Sequence, residues 1–175
     1  MNWQQEYNRV HDSSIHDGLT GLLNHKAFLD RFDEEVSRAG RFNHMLGLVI
    51  LDLDKFKSIN DSYGHLYGDY VLEEVSNIIK ENVRAIDVVG RYGGEEFAML
   101  FQAETEGDAH VALNRLRLNV AQYPFPQIGQ LTISIGFLEL VSIDTVSSIV
   151  NQADLALYYS KNTGRNRVTS YSELE

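Results

Sequence analysis

The sequence predicts a layered α/β domain of the α+β type, with a central, roughly five-stranded mixed sheet flanked by helices. Residues 45–51 form a nearly unbroken apolar run, as expected for a central strand buried on both faces. Two later apolar runs flank a Gly-Gly pair, which predicts a β-hairpin. Apolar residues at helical spacing recur between these segments, and that alternation favours a sheet covered by helices.

Each element follows from the spacing of its apolar residues and from the residues that bound it. Asn24 is the expected cap of the first of these helices. The predicted elements are, in order, helix 28–39, strand 45–51, helix 71–79, hairpin strands 88–89 and 97–101 around residues 93–96, helix 109–120, strand 131–140, helix 146–157 and edge strand 167–171.

Residues 1–16 are polar, with apolar positions at a loose helical spacing. They are compatible with a fraying N-terminal helix and with the end of a longer helix from an upstream sensory domain, and so short a stretch does not decide between the two. Residues 17–175 contain no linker, repeat or low-complexity tract. We therefore expect one domain there, with a substantial core.

Composition and charge exclude several classes of protein. The chain has 25 acidic and 15 basic residues and a formal net charge of −10, which argues against broad nucleic-acid binding because that requires a basic face. It has no cysteine, so disulfides and thiolate metal sites are excluded. There is neither a membrane-length apolar run nor a signal-peptide pattern, so a cytoplasmic domain without membrane contact is expected. A polyphosphate substrate would need a divalent cation or a local cluster of Lys and Arg.

Two acidic residues mark the end of the central strand. Asp52 and Asp54 lie two residues apart and therefore on one face of the strand. A carboxylate in that position must be solvated, paired or bound to a cation. For a lone acidic residue, a strand that simply emerges into water is an equally good explanation.

The predicted hairpin makes a cation site the better explanation. Gly93 and Gly94 allow a tight turn and a close approach of a ligand to the main chain, whereas Glu95 and Glu96 are poorly explained by turn chemistry. If the hairpin adjoins the strand end, Asp52 converges with these carboxylates. Hard oxygen ligands without His or Cys suit Mg²⁺ and a phosphate substrate. This is the outline of a nucleotidyl-transfer site.

The hairpin resembles the signature of the GGDEF family of diguanylate cyclases, in its Gly-Gly-Glu-Glu-Phe form. Further blocks match family elements in the same order, and together they cover residues 17 to about 170. The matching blocks are Asp17-Gly18-Leu19-Thr20-Gly21-Leu22, Leu51-Asp52-Leu53-Asp54-Lys55-Phe56-Lys57, Ile59-Asn60-Asp61, Gly64-His65-Leu66-Tyr67-Gly68-Asp69, Arg91-Tyr92-Gly93-Gly94-Glu95-Glu96-Phe97 and Lys161-Asn162-Thr163-Gly164-Arg165-Asn166-Arg167.

The resemblance implies an enzyme that joins two GTP molecules into cyclic di-GMP and depends on Mg²⁺ or Mn²⁺. Its fold would be similar to the palm of class III nucleotide cyclases. The 3′-hydroxyl of one GTP would attack the α-phosphorus of the other and release pyrophosphate. Each domain of the family holds one GTP, so the active species would be an antiparallel homodimer.

The resemblance also implies roles for individual residues. The metals would be bound by Asp52, the backbone carbonyl of Leu53 and Glu95, while Glu96 assists metal binding or deprotonation of the attacking hydroxyl. The remaining substrate contacts would come from Gly93 and Gly94 in the hairpin, from Asn60 and Asp69 at the guanine, and from Lys57, Lys161 and Arg165 at the phosphates.

Each of these assignments has a simpler structural alternative. Asp69 could be the N-cap of the helix over 71–79, although a carboxylate also suits the guanine N1–H and N2 amino group, and both can hold. Asn60 could stabilise a turn. Lys161, Arg165 and Arg167 could form a solvated cationic helix end. In a protein of charge −10, a counter-charge for a triphosphate explains that cluster better.

A second site is predicted upstream of the hairpin. Arg84 and Asp87 match the Arg-x-x-Asp motif that binds cyclic di-GMP in many relatives, and Arg115 matches a supplementary arginine of that site. An Arg guanidinium can pair with phosphate or with a guanine edge and can stack on a base. The simpler alternative is an exposed Arg–Asp pair at a helix end.

One block departs from the family pattern, and other functions remain open. His25 stands where the family usually has Arg, which we expect to weaken a structural contact without abolishing catalysis. The alternatives are a catalytically silent cyclic di-GMP receptor, a cyclase with an adenine-containing product, and a structural dimerisation module. The intact hairpin and Asp52 argue against the first alternative, and Asp69 argues against the second.

Overall fold

The computed structural model of the protein describes residues 3–42, 44–103, 105, 107–140 and 144–175. It confirms the predicted fold class. The elements are α1 (Trp3–Ile15), α2 (His25–Phe42), β1 (Met45–Leu53), α3 (Phe56–Tyr63), α4 (His65–Asn82), β2 (Val88–Arg91), β3 (Glu96–Ala103), α5 (Asp108–Gln122), β4 (Ile133–Leu140), α6 (Val146–Asn162), β5 (Val168–Ser170) and a 3₁₀ helix (Tyr171–Leu174). The first two residues of the predicted segment 1–16 lie outside the described residues.

The five strands form one mixed sheet in the order β2-β3-β1-β4-β5. The apolar strand β1 is central and runs antiparallel to both of its neighbours, β3 and β4. The predicted hairpin is the antiparallel pair β2 and β3. The predicted edge strand is β5, which pairs in parallel with β4.

Helices cover both faces of the sheet because the residues of β1 alternate between two apolar clusters. Leu48 and Ile50 belong to a cluster with Phe28 of α2 and Leu157 of α6. Leu51 belongs to the opposite cluster, which is built with α3, α4 and α5. This alternation places Asp52 on the side of the sheet that carries α2 and α6.

Helix α6 packs directly on β4 because Gly136 allows the two backbones to meet. A Cβ atom at this position would lie 2.1 Å from the backbone nitrogen of Leu157 and 2.6 Å from the carbonyl oxygen of Ala153. Any other residue would force α6 away from the sheet. The close packing brings the C-terminal end of α6, with Lys161, to the end of β1.

The structure differs from the sequence-based expectations at two helices. The short helix α3 was not predicted, since only its residues Phe56 and Ile59 are buried. Helix α4 begins at His65, after Gly64, and not near residue 71. Asp69 therefore lies inside the helix, and its interpretation as an N-cap is wrong. The cap at Asn24 is confirmed, because its Oδ1 accepts from the Ala27 N–H at 2.9 Å.

Candidate active site

Three carboxylates come together at the end of the central strand. Asp52, the penultimate residue of β1, is the cross-strand partner of Glu96, the first residue of β3. The Leu53 N–H donates to the Glu95 carbonyl at 3.3 Å, which joins the hairpin turn to the same strand end. Besides burial, the charge of Asp52 raises the pKa of Glu95, as expected for two carboxylates that lie close together. The hairpin and the strand end thus adjoin, as the metal hypothesis requires.

These carboxylates stand in an unfavourable environment for negative charge. Burial raises the pKa of Glu95, and the charge of Asp52 raises it further. The same two causes raise the pKa of Glu96. Burial also raises the pKa of Asp52, although Lys161 opposes it with an ion pair of 2.8 Å between Nζ and Oδ2. One ammonium group faces three carboxylates, so the cluster favours an additional cation.

The donor set fits Mg²⁺ or Mn²⁺ on chemical grounds. Asp52, Glu95 and the backbone carbonyl of Leu53 offer hard oxygen ligands. In the part of the chain that the structure describes, no three His, Asp or Glu side chains converge closely enough to hold a metal by themselves. A cation here would therefore complete its coordination with water and with oxygens of the substrate, which is how Mg²⁺ is commonly bound.

Asp54 has a different role from Asp52. The sequence did not reveal this difference. Its carboxylate is buried and accepts from Thr132 Oγ1 at 2.7 Å and from Ser134 Oγ at 2.7 Å. It also accepts from the backbone N–H of Asn166 at 3.0 Å. Asp54 therefore binds the loop that follows α6 to the end of the sheet.

That loop carries Arg165, one of the predicted phosphate ligands. Arg165 and Asn166 both adopt left-handed backbone conformations, with φ values of 60° and 44°. Two contacts hold Asn166, namely the bond to Asp54 and a 2.8 Å bond from Arg117 Nη1 to its Oδ1. The loop thus presents Arg165 in a backbone conformation that non-glycine residues rarely adopt without such support. Lys57, the third predicted phosphate ligand, is exposed in the first turn of α3.

The two predicted guanine ligands lie on successive helices. Asn60 is in α3, and its backbone carbonyl oxygen accepts from the Gly64 N–H at 2.8 Å, at the junction with α4. Asp69 is exposed in the second turn of α4. The side-chain oxygen Oδ1 of Asn60 is buried and has no hydrogen-bond partner among the described residues. A buried acceptor in that state is suited to a donor from a ligand.

The N-terminal motif at Asp17 supports the hairpin through Arg91. Asp17 Oδ1 accepts from Thr20 N at 2.9 Å and from Thr20 Oγ1 at 2.7 Å. Arg91 Nη1 lies 3.2 Å from both oxygens of Asp17, and its Nη2 donates to the Gly94 carbonyl at 2.8 Å. Burial would raise the pKa of Asp17, but the bonds from Thr20 and the charge of Arg91 outweigh it and lower the pKa.

A family model described as diguanylate cyclase, GGDEF domain, matches residues 14–167. The chain belongs to the GGDEF family. Its sequence is 37% identical over 158 residues to diguanylate cyclase DgcP of Pseudomonas aeruginosa, a match that covers 89% of this chain. It is 41% identical over 138 residues to diguanylate cyclase A of Treponema denticola, which covers 77% of this chain.

The fold of this GGDEF domain matches that of a solved relative. The coiled coil and GGDEF domain of DgcB from Caulobacter crescentus, in complex with c-di-GMP, superposes with a TM-score of 0.91 at 35% identity, and the match covers 95% of this chain and 91% of that one. The chain spans only 24% of the length of DgcP and 37% of that of diguanylate cyclase A. None of the helices within the described ranges has the length and apolar character of a membrane span.

The GGDEF domain also has a cavity at the predicted second site. Arg84, Asp87 and Arg115 line one cavity of about 240 Å³, whose apolar lining includes Met99 and Leu113. Arg84 follows α4, and its backbone N–H donates to Asp87 Oδ2 at 2.8 Å. Its Nη2 donates to the Gln102 carbonyl at 2.6 Å. The three predicted residues are therefore brought together.

Two further residues near the carboxylates were not singled out from the sequence as part of the site. His25 Nδ1 donates to the Tyr92 carbonyl at 2.6 Å, and the two rings lie 4.6 Å apart. This contact connects α2 to the hairpin. Asp154 of α6 adds negative charge close to Glu96 and Tyr92. Its position in the helical pattern gave no signal of this proximity.

Proposed function

We propose that this GGDEF domain is a diguanylate cyclase, which condenses two GTP molecules into one cyclic di-GMP and two pyrophosphates. The observation that carries the proposal is the convergence of Asp52, Glu95 and Glu96 at one sheet end, where burial and mutual repulsion favour a cation. The named relatives are diguanylate cyclases. Because GTP is the proposed substrate, we also propose a cytoplasmic location for the domain.

The residues around the cluster would hold GTP. Asn60 and Asp69 would accept hydrogen bonds from guanine, while Gly93 and Gly94 allow the substrate to approach the hairpin. Lys57 and Arg165 would contact the phosphates. Lys161 pairs with Asp52 in the structure. Once the charge of Asp52 is neutralised by a bound cation, Lys161 would exchange this partner for a phosphate oxygen.

Catalysis would consist mainly of positioning and charge stabilisation. The O3′ oxygen of one GTP forms a bond to the α-phosphorus of the other as the bond from that phosphorus to pyrophosphate breaks. Glu96, whose pKa is raised by burial, is the proposed acceptor of the hydroxyl proton. Mg²⁺ or Mn²⁺ bound by Asp52, the Leu53 carbonyl and Glu95 would supply charge neutralisation and a lower hydroxyl pKa. A second, equivalent step closes the ring.

An antiparallel homodimer is required because one domain holds one of the two GTP molecules. Residues 1–16 would connect the catalytic domain, residues 17–175, to an upstream sensory domain. In α1, Trp3 and Val10 are 88% and 66% exposed and lie seven residues apart, on one face of the helix. The solved DgcB relative contains a coiled coil together with its GGDEF domain, which supports this arrangement.

The cavity at Arg84, Asp87 and Arg115 is the proposed site of product inhibition. Two guanidinium groups and an apolar lining suit a ligand that combines phosphates with flat bases. The solved relative was crystallised with c-di-GMP. Arg84→Ala should relieve inhibition by cyclic di-GMP while leaving the initial rate unchanged, and persistent inhibition in this variant would remove the second site from the proposal.

The deciding experiment is incubation of the purified protein with GTP and Mg²⁺, followed by chromatography of the products. We expect cyclic di-GMP from GTP, no corresponding product from ATP, and a rate that rises faster than linearly with protein concentration because two domains must meet. Binding of cyclic di-GMP without turnover of GTP would instead support the receptor alternative, which the Arg84 cavity favours. If the protein neither binds cyclic di-GMP nor turns over GTP, the structural dimerisation module is the remaining alternative.

A further inference from the structure

Gly68 lies in the first turns of α4, directly against the side chain of Asn60. A Cβ atom at Gly68 would lie 1.9 Å from Asn60 Oδ1, 2.9 Å from Asn60 Cγ and 3.2 Å from Cζ of Phe56. In protein structures, a Cβ atom essentially never lies within 3.0 Å of a non-bonded heavy atom. Any residue other than glycine at this position therefore displaces the Asn60 amide.

The backbone does not explain why this position is glycine. Gly68 is not among the residues with a positive φ, and it lies within a regular helix. Glycine inside a helix is less stable than alanine by about 0.5–1 kcal/mol. The space that Gly68 leaves for Asn60 is the feature that accounts for it.

The side chain held in that space is not satisfied by the protein. Asn60 Oδ1 is buried and finds no hydrogen-bond partner within the described ranges. Leaving such an acceptor unpaired is unfavourable by about 1–3 kcal/mol. The fold therefore packs an amide oxygen against a glycine and gives it no hydrogen-bond donor from the described residues.

We propose that Gly68 is a positioning residue for base recognition, which holds Asn60 Oδ1 in the orientation that accepts a hydrogen bond from guanine. This rests on the proposed function, in which Asn60 reads the base. Guanine carries donors at N1 and at its N2 amino group, whereas adenine has an acceptor at N1 that would face Oδ1 unfavourably. Gly68 thereby contributes to the choice of GTP over ATP without touching either nucleotide.

The test is a double-mutant cycle between Gly68→Ala and Asn60→Ala, read out by binding. The probes are 3′-deoxy-GTP and 3′-deoxy-ATP, which lack the attacking hydroxyl, and their Kd values are measured by calorimetry. We expect each single variant to weaken 3′-deoxy-GTP binding about 10-fold, as for the loss of one buried hydrogen bond. The double variant should be no weaker than Asn60→Ala alone, because alanine fits once the amide is gone.

A control separates base recognition from helix stability. Asn77→Ala, at an exposed position of the same helix, should raise the melting temperature without changing either Kd. If Gly68→Ala leaves 3′-deoxy-GTP binding unchanged, or if the two effects add fully, the inference is wrong although Asn60 still reads guanine. If Asn60→Ala itself leaves binding and the GTP preference unchanged, the proposed base recognition fails as well.

Discussion

Asp17 and Asp54 receive hydrogen bonds from neighbouring groups, whereas Asp52, Glu95 and Glu96 face one another. Asp17 is bonded by Thr20 and Arg91, and its pKa is lowered. The three clustered carboxylates have raised pKa values, and burial is the largest cause for each of them. Asp17 and Asp54, the carboxylates of the first region, hold loops in place. Asp52, Glu95 and Glu96, the carboxylates of the second region, are left with too little positive charge around them. A carboxylate that must share too few donors with its acidic neighbours is therefore a better indicator of function than acidity itself.

The largest expected effect comes from removing a charge of the second region. Glu95→Gln should lower turnover by at least about 10²–10³-fold, because a ligand of the proposed cation and a compensating charge are lost. Binding of Mn²⁺, followed by electron paramagnetic resonance, should weaken in parallel. Glu81→Gln, at an exposed position of α4, serves as the control and should change neither quantity. Full turnover in Glu95→Gln would contradict the assigned site.

Breaking the first region at Arg91 should affect stability and activity together. Arg91→Gln removes the charged bonds to Asp17 and weakens the bond to the Gly94 carbonyl, so we expect a loss of about 2 kcal/mol in the free energy of unfolding. Turnover should fall about 10-fold or more as the hairpin shifts. Urea denaturation and initial rates measure the two effects. The exposed Arg41→Gln is the control, and an equally stable and active Arg91→Gln variant would refute the role of this link.

The two regions should respond to pH with opposite signs. Because the folded pKa of Glu95 is raised, its contribution to stability improves as pH falls through that pKa toward the ordinary value near 4.5. The folded pKa of Asp17 is lowered, so its contribution is present above about 3.8 and is lost as pH falls through the lowered value. Urea denaturation of metal-free protein at pH 2–8 compares the native chain with Glu95→Gln and with Asp17→Asn and so measures both contributions. Parallel trends for the two variants would contradict the comparison.

The smallest expected effect concerns the loop that Asp54 holds. Arg117→Gln removes the 2.8 Å bond to Asn166 and should raise the KM for GTP about two- to fivefold, with kcat nearly unchanged, because one hydrogen bond that supports the Arg165 loop is lost. Arg115→Gln, on the same helix, is the matched control and should change product inhibition and not KM. If Arg117→Gln and Arg115→Gln change the KM for GTP and the product inhibition in the same way, the two arginines of α5 do not serve separate sites.

Much of the fold was predictable because it depends on local patterns. The apolar run of β1 indicated a central strand, and the Gly-Gly pair indicated the hairpin. Helix α3 was missed because it is short and has only two buried apolar residues. The start of α4 was misplaced because Gly64 precedes it without a side-chain cap. The motif blocks identified the family, which the comparison confirms.

The sequence by itself determined the fold class, the family and the set of acidic, basic and amide residues from which a site could be made. Only the tertiary structure decided that, of two acidic residues, Asp54 would receive several neutral donors and Asp52 would share one ammonium group with two other carboxylates. That outcome depends on Thr132, Ser134 and the backbone of Asn166, which lie about 80 residues or more further along the chain. Partners this distant in sequence leave no periodic signal, because they meet only when α6 packs on β4 and the strands align.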